Sequence, residues 1–353
     1  MSEVIVVGAG LSGLTAAINC ARAGHQVMVL ERFKEVGGLP RVHPAVDATP
    51  MEPEALGRFI GVELKEPQVR PTESVGMHIY GKCWDYPGSA MFLHNIERGS
   101  RPTALDYQLW EIAKAEGVKF EFNSEFKTKD AAWLPPDSII ATGLFFEAFS
   151  DMDIPYVQLY GWVARGKKDG PTRVAGYMDT YTRDYCYYAN NNGVTFGLAF
   201  GTKPVDKSLK ERWMEQLATE EDVIFSAWEE HEGVAPIKRF NNPRLFWGDK
   251  ILAGTFAGMQ DPFFLFGVHG ALVSGKIAAM AVDDKAQAYE MFTRLTRSFK
   301  YSLAVKRLVL YTLPHPLRKL ALRTLIGQWS QHLDSLGFIM DIALLSVPGM
   351  KKI

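Results

Sequence analysis

The side chains able to move a proton gather in two stretches of the sequence. His269 stands in the glycine-rich run Gly267-Val268-His269-Gly270, and Tyr181, Arg183, Asp184 and Tyr185 form a polar, aromatic run near the middle of the chain. An imidazole or a phenol can protonate a carbon or oxygen centre, so His269, Tyr181 and Tyr185 are the catalytic candidates. A histidine at that position equally suits a helix N-terminus bonded to backbone. His78, Cys83, Trp84 and His94 form a further polar group earlier in the chain. Neither a Ser-His-Asp spacing nor a nucleophile elbow is present, so hydrolysis has little support. Cys20, Cys83 and Cys186 are too few and too scattered for a disulfide framework or a CxxC metal pair, which leaves no expected metal site and a reducing compartment.

These candidates need a frame, and the first forty residues supply one. The apolar run Val4-Ile5-Val6-Val7 reads as a first strand, not a signal peptide. It leads into Gly8-Ala9-Gly10-Leu11-Ser12-Gly13, a helical pattern over residues 14–23, a second strand Val27-Met28-Val29-Leu30, and Glu31. This is a complete βαβ unit. Gly8 permits the tight exit from the strand, Gly10 lets a pyrophosphate approach bare backbone, and Gly13 lets the helix lie close to the sheet. The helix start, with Leu11 and Ser12, turns free N–H groups toward the phosphates. Glu31 is placed to accept hydrogen bonds from a ribose diol. Strand, helix, second strand and acid all fall in order, so the motif predicts a dinucleotide site.

The continuation Glu31-Arg32-Phe33-Lys34-Glu35-Val36-Gly37-Gly38-Leu39 resembles the extended FAD signature of glutathione-reductase-type flavoproteins. Arg101-Pro102-Thr103-Ala104-Leu105-Asp106 is similar to the Arg and Leu-Asp of the p-hydroxybenzoate hydroxylase branch. Ala141-Thr142-Gly143 resembles the strand end that lies next to FAD. Residues 250–262 and 267–276 are similar to the C-terminal FAD strand and helix of the geranylgeranyl reductase group. There the usual Gly-Asp reads Gly254-Thr255, and the carboxylate's place falls to the Thr255 hydroxyl or to Asp261. The resemblance covers about residues 1–285. It implies FAD as cofactor, with the flavin ring near Gly267 and Val268 at the start of a helix over residues 267–279, whose positive end suits a reduced, anionic flavin.

Between residues 154 and 200 the pattern turns strand-like, over residues 156–163, 173–178, 181–188 and 194–200, with turns at Asp169-Gly170-Pro171 and Asn190-Asn191-Asn192-Gly193. An antiparallel sheet is expected. In flavoproteins of this shape such a sheet roofs the flavin, and its aromatic residues Tyr160, Trp162, Tyr177, Tyr181, Tyr185, Tyr187 and Phe196 would favour a bulky apolar ligand; serving as sheet core explains half of them equally well. Trp162, Arg183, Tyr187, Phe263 and Phe264 are the substrate-binding candidates. Residues 207–228 read as an amphipathic helix with a solvated acidic face.

The fold class follows as α/β: a Rossmann-like FAD-binding domain of residues 1–150 and 245–285, an inserted antiparallel β-sheet substrate domain of residues 151–244, and a C-terminal helical segment of residues 286–353, broken at Pro314 and Pro316. With 353 residues, 39 basic and 40 acidic side chains give a net charge of −1, which offers no field to gather nucleic acid. Residues 290–353 carry ten basic against three acidic residues, so this tail is +7 and the remainder −8. Packing as a cap and docking on anionic lipid are the two readings of its basic, aliphatic pattern. No stretch reaches the length of a spanning helix, the best candidates being residues 308–313 and 336–347. The expected location is therefore cytoplasmic, with peripheral contact on the inner face of the membrane as the second expectation.

A second glycine-rich nucleotide motif is absent, so electrons are expected from a transient NAD(P)H, a protein donor or the substrate itself. The favoured reaction is hydride transfer between flavin N5 and a carbon of an isoprenoid- or lipid-like substrate. An aromatic monooxygenase using NAD(P)H and O2 is one alternative. A flavin-containing lipid-binding protein is the other.

Overall fold

In this computed structural model, residues 2–39 and 41–331 are described. Residues 332–353, with the apolar run 336–347 and two of the tail's lysines, lie outside the described residues.

The first strand, β1 (Glu3–Val7), is β-branched along most of its length and sits inside a six-stranded sheet. Parallel neighbours flank it, β2 (Gln26–Glu31) on one side and Ile139–Ile140 on the other. Burial on both faces is why these strands read as unbroken apolar runs. Between β1 and β2 runs α1 (Leu11–Arg22), ten of whose twelve residues are buried. The strand Lys119–Phe122 extends the sheet beyond β2, and Lys250–Leu252 extends it beyond Ile139–Ile140.

The helix Val268–Asp283 packs against α1, and the Ser-Gly-Lys motif shows how. A Cβ on Gly275 would lie 2.4 Å from the Ser12 carbonyl oxygen and 2.8 Å from Thr15 Cβ, so only glycine permits this approach. On one side Ser274 Oγ accepts the Gly254 N–H at 2.7 Å, and on the other Lys276 Nζ donates to Asn19 Oδ1 at 2.8 Å. Sequence neighbours thus tie the last strand and the two central helices to one another.

A seven-stranded sheet forms the second layer, in the order Glu229–Ala235, Val157–Lys167, Val194–Gly201, Cys186–Asn191, Arg173–Met178, Ser74–Ile79, Lys82–Pro87. All neighbours are antiparallel except Arg173–Met178 and Ser74–Ile79, which run parallel. The substrate sheet is therefore mixed and is not confined to residues 151–244, since the hairpin 74–87 completes it. Asn192 and Gly193 both adopt positive φ, the two-residue turn whose twist suits a hairpin. A small sheet of Ala45–Pro50, Leu93–Arg98 and Val69–Pro71 is the third.

Three expectations for elements are corrected. The strand expected over residues 181–188 begins only at Cys186, because Thr182 Oγ1 accepts the Asp184 N–H and holds a local turn instead. The helix expected over residues 207–228 ends at Glu220. Pro316 does not break the C-terminal helices: it lies in the first turn of His315–Gln331, where a missing N–H costs nothing. Ahead of that helix come Lys285–Thr296, Phe299–Lys306 and a wide turn at Arg307–Thr312. The group is locked to the second sheet by the fully buried pair Lys306 Nζ–Asp184 Oδ1 at 2.5 Å, and Tyr311 Oη donates to the same carboxylate at 2.7 Å.

Candidate functional site

The C-terminal ends of β1, β2 and Ile139–Ile140 open into a cavity of about 1720 Å³ roofed by the second sheet. Ordinary small-molecule pockets hold roughly 300–1,000 Å³, so this one has room for a dinucleotide and a second ligand.

The floor is built where the motif places it. Gly8, Gly10, Leu11 and Ser12 line the cavity at the start of α1. No side chain caps this helix, and a Cβ on Gly10 would meet no atom within 4 Å. The space before the helix start is open and faces its positive end, which suits a phosphate. Glu31 and Arg32 line the next stretch. Glu31 Oε2 accepts the Ala9 N–H at 2.7 Å and Oε1 the Phe33 N–H at 2.9 Å. Burial pushes this carboxyl up, against the pull of those N–H groups, and a second lone pair on each oxygen remains for a hydroxyl donor. Arg32 lies over the Phe145 ring at 4.2 Å and pairs with Glu125 at 3.0 Å, fixing the rim.

Gly37, Gly38 and Leu39 border the cavity, as do Thr142, Gly143, Thr255, Gly267 and Val268. Thr142 Oγ1 is buried without a partner among the described residues. An open helix start, an orphaned hydroxyl and an acid at the second strand end are what a bound FAD requires, and these residues fit it. Gly13, Gly254, Asp261 and Arg101 do not line the cavity. Gly13 serves packing, since its Cβ would lie 1.9 Å from the Gly8 carbonyl oxygen. Gly254 is turned inward by its bond to Ser274. Asp261 spends Oδ2 on the Phe264 N–H at 2.5 Å, and Oδ1 accepts from Ser302 Oγ at 3.2 Å; Thr255 is the one of the two that reaches the cavity.

Arg101 is displaced by a neighbour that the sequence did not single out. Arg98, closing the strand Leu93–Arg98, lines the cavity and grips Asp106 with two bonds, at 2.8 and 2.9 Å. Its third contact is Asp47 at 3.3 Å. Burial alone would raise the Asp106 carboxyl, but the Arg98 guanidinium reverses this and holds it below its ordinary value. Arg101 pairs with Glu97 at 3.2 Å and with the Asn192 carbonyl at 3.2 Å, outside the cavity. Both arginines precede the same Leu-Asp pair, and only the register, with Arg98 opposite Ala45, selects between them. His43 was also missed: its Nδ1 lies 2.7 Å from the Gly37 carbonyl, and burial, then Arg98, hold its imidazole below the usual value.

The roof divides the aromatic candidates by face. Tyr185, Tyr187 and Phe196 line the cavity from one face, joined by Val163, Leu198 and Phe200, while Tyr160, which shares Trp162's face by register, borders it as well. Phe196, Leu198 and Phe200 alternate along one strand, a signal readable in the sequence. Tyr187 Oη donates to the Val46 carbonyl at 2.9 Å. Tyr185 Oη donates to the Phe264 carbonyl, and burial raises its phenol well above the ordinary value. Phe264 lines the cavity, whereas Phe263 packs behind it with ring centroids 4.7 Å apart.

The remaining candidates turn away. Trp162 sits on the opposite face, its indole N–H bonded to the Val205 carbonyl at 3.2 Å and its ring under the Lys210 ammonium at 3.7 Å. Tyr177 and Tyr181 lie in the core cluster with Trp213 and Leu217, and Tyr181 Oη donates to Gln216. Arg183 donates to the Tyr311 carbonyl. His78 stacks on Tyr177 at 4.2 Å, and neither it nor Cys83, Trp84 or His94 lines the cavity. His269 is 1% exposed, and neither ring nitrogen has a partner among the described residues. Val268 and Ala271 face the cavity, so at 100° per residue position 269 points to the other side of the helix. Burial holds its imidazole down to about 3. The catalytic expectation is thus corrected for His269 by helix phase and for Tyr181 by its packing against Trp213 and its bond to Gln216.

Residues 3–47 match the family model described as FAD dependent oxidoreductase. Across 98% of this chain and 97% of the other, the fold superimposes with a TM-score of 0.71 and 13% identity on a geranylgeranyl bacteriochlorophyll reductase-like protein of Thermoplasma acidophilum. The fold is therefore shared with that reductase-like protein over nearly the whole chain. A second solved structure, p-nitrophenol 4-monooxygenase of Pseudomonas putida, gives a TM-score of 0.60 at 12% identity, covering 99% of this chain and all of that one. Sequence likeness is local. A flavin-containing monooxygenase of Arabidopsis thaliana is 52% identical over 49 residues, 14% of this chain and 11% of that protein. An L-amino acid oxidase of Bothrops pictus is 30% identical over 132 residues, 34% of this chain and 25% of that protein. The chain thus spans a quarter or less of the length of these curated relatives. The family model matches the βαβ unit, whereas the likeness of fold extends over nearly the whole chain, roof included.

No helix among the described residues is long and apolar enough to cross a membrane.

Proposed function

We propose that this flavoprotein-fold chain is an FAD-dependent oxidoreductase that reduces or dehydrogenates a carbon–carbon bond of a hydrophobic, isoprenoid- or lipid-like substrate. The observation that carries the reading is the apolar wall of Tyr187, Phe196, Leu198 and Phe200 set across the cavity from the nucleotide floor. An apolar wall takes up an apolar chain without stranding a buried polar group.

When bound, FAD supplies hydride exchange at flavin N5. The residues of this chain do the rest. The α1 start at Gly10 would hold phosphate, Glu31 would accept from the ribose, and the helix beginning at Val268 would offer its positive end to a reduced flavin. Tyr187 Oη is fixed on the Val46 carbonyl, which leaves its ring as a flat wall for the substrate. Tyr185 stays protonated through its bond to the Phe264 carbonyl and is the cavity's phenolic proton source on the roof. Electrons come from NAD(P)H in transient contact or from a protein donor.

The test is anaerobic absorbance of purified protein, first with NADPH and then with a lipid extract. A flavin band that bleaches with NADPH and returns with lipid supports the reading. Oxygen consumption on NADPH alone, with hydroxylation of an aromatic compound, supports the second reading, an aromatic monooxygenase, which the fold shared with p-nitrophenol 4-monooxygenase favours. A flavin that no donor reduces supports a lipid-holding protein, and a colourless protein overturns all three.

A further inference from the structure

The C-terminal helices leave a surface that the cavity chemistry does not use. Tyr301, Val305, Leu308, Leu317, Leu320 and Leu325 are each between 41% and 63% exposed. Tyr301 and Val305 stand four residues apart on the helix Phe299–Lys306, which puts them on one face, and Leu308 follows in the wide turn. Scattered exposed apolar residues are ordinary, but a run of this kind along consecutive helices marks an interaction surface.

Its electrostatics choose the partner. Residues 291–331 contain eight Lys and Arg and no Asp or Glu. Lys306 is neutralised by Asp184, whereas Arg294, Arg297 and Lys300 are exposed, and Lys300 Nζ lies over the Tyr301 ring at 5.0 Å. Where His315–Gln331 begins, a second pocket of about 300 Å³ is lined by Arg183, Lys203, His315 and Arg318 with the hydroxyls of Thr180 and Thr182, and no acid lines it. Apolar side chains with basic residues around them suit a bilayer bearing anionic headgroups. The pocket's chemistry suits a phosphate ester.

We infer that the face formed by Tyr301, Val305, Leu308, Leu317, Leu320 and Leu325 docks on the surface of an anionic phospholipid bilayer, with the Arg183, Lys203, Arg318 pocket receiving a lipid phosphate. The apolar side chains enter the headgroup–acyl boundary and the basic residues stay at headgroup level. This does not rest on the reaction proposed above.

The full chain is sedimented with vesicles of phosphatidylcholine alone and of equal parts phosphatidylcholine and phosphatidylglycerol. Binding to the mixed vesicles, weakened by high salt and absent from phosphatidylcholine alone, is the expected result. Leu317→Asp with Leu320→Asp, both at exposed sites, should lower binding at least about tenfold with the thermal midpoint unchanged. Lys203→Glu should lower it several-fold, and free inorganic phosphate should not displace the protein. Equal sedimentation with and without mixed vesicles overturns the proposal. So does a concentration-dependent dimer broken by the leucine substitutions, which would make the occupant a second copy. Vesicle binding that appears only after removal of residues 332–353 would make that segment the occupant and overturn it as well.

Discussion

The floor and the roof of the cavity are both lined by residues that come close to a ligand, yet they are specified differently. On the floor, function lies in backbone: open space at Gly10, N–H groups at the start of α1, one acid at the end of β2. These are local, since residues 8–31 suffice to form them. On the roof, function lies in side chains selected by which face of a seven-stranded sheet they occupy, and two of its strands come from residues 74–87. A motif can encode the first. Only the assembled sheet decides the second.

Two glycines three residues apart sharpen the contrast most. Gly10→Val places a side chain in open space with ordinary backbone angles, so the folded protein should keep its thermal midpoint and lose its flavin, read as loss of visible absorbance. Gly13→Val, whose Cβ would lie 1.9 Å from the Gly8 carbonyl oxygen, should instead fail to fold. Flavin retained in the first variant would remove the floor assignment. Next in size is the lock between roof and C-terminal helices. Lys306→Met leaves the buried Asp184 carboxylate with the Tyr311 hydroxyl but no countercharge, and should lower stability by about 3–5 kcal/mol in denaturant titrations.

Leu198→Arg tests the roof alone. Flavin content should be unchanged while turnover of an apolar substrate drops about tenfold or more, because a buried unpaired charge replaces an apolar wall. Equal activity would show that the substrate does not use this face. The smallest effect belongs to His269. Its imidazole is held neutral by burial with a folded-state value of about 3 against an ordinary 6.5. The unfolded chain therefore binds the extra proton first, and stability should decline as pH falls from 6.5 toward 3. His269→Leu should flatten that part of the stability profile and change turnover by less than about twofold, within the range of a residue that touches no ligand.

Much of the floor was legible because each of its residues is defined by neighbours close in sequence. Gly8, Gly10, Leu11, Ser12, Glu31, Gly37 and Gly38 all reach the cavity. Failures began where two candidates were locally equivalent. Arg98 and Arg101 lie the same side of Leu105-Asp106, and Thr255 and Asp261 follow the same strand. Trp162 and Tyr160 lie two residues apart and share a face of one strand, yet only Tyr160 borders the cavity. His43 and Asp47 carried no local pattern at all; they reach the site through the small sheet that pairs Ala45–Pro50 with Leu93–Arg98.

The sequence by itself determined that a βαβ unit forms, where its phosphate-facing glycines stand and which acid ends its second strand, because backbone conformation and helix start are set by residues a few positions away. Tertiary structure alone decided which arginine meets Asp106, which aromatic rings face the cavity and that His269 does not. Those choices depend on strand register and helix phase between segments that are not neighbours in sequence, where a shift of one position exchanges the lining of a site for the core behind it.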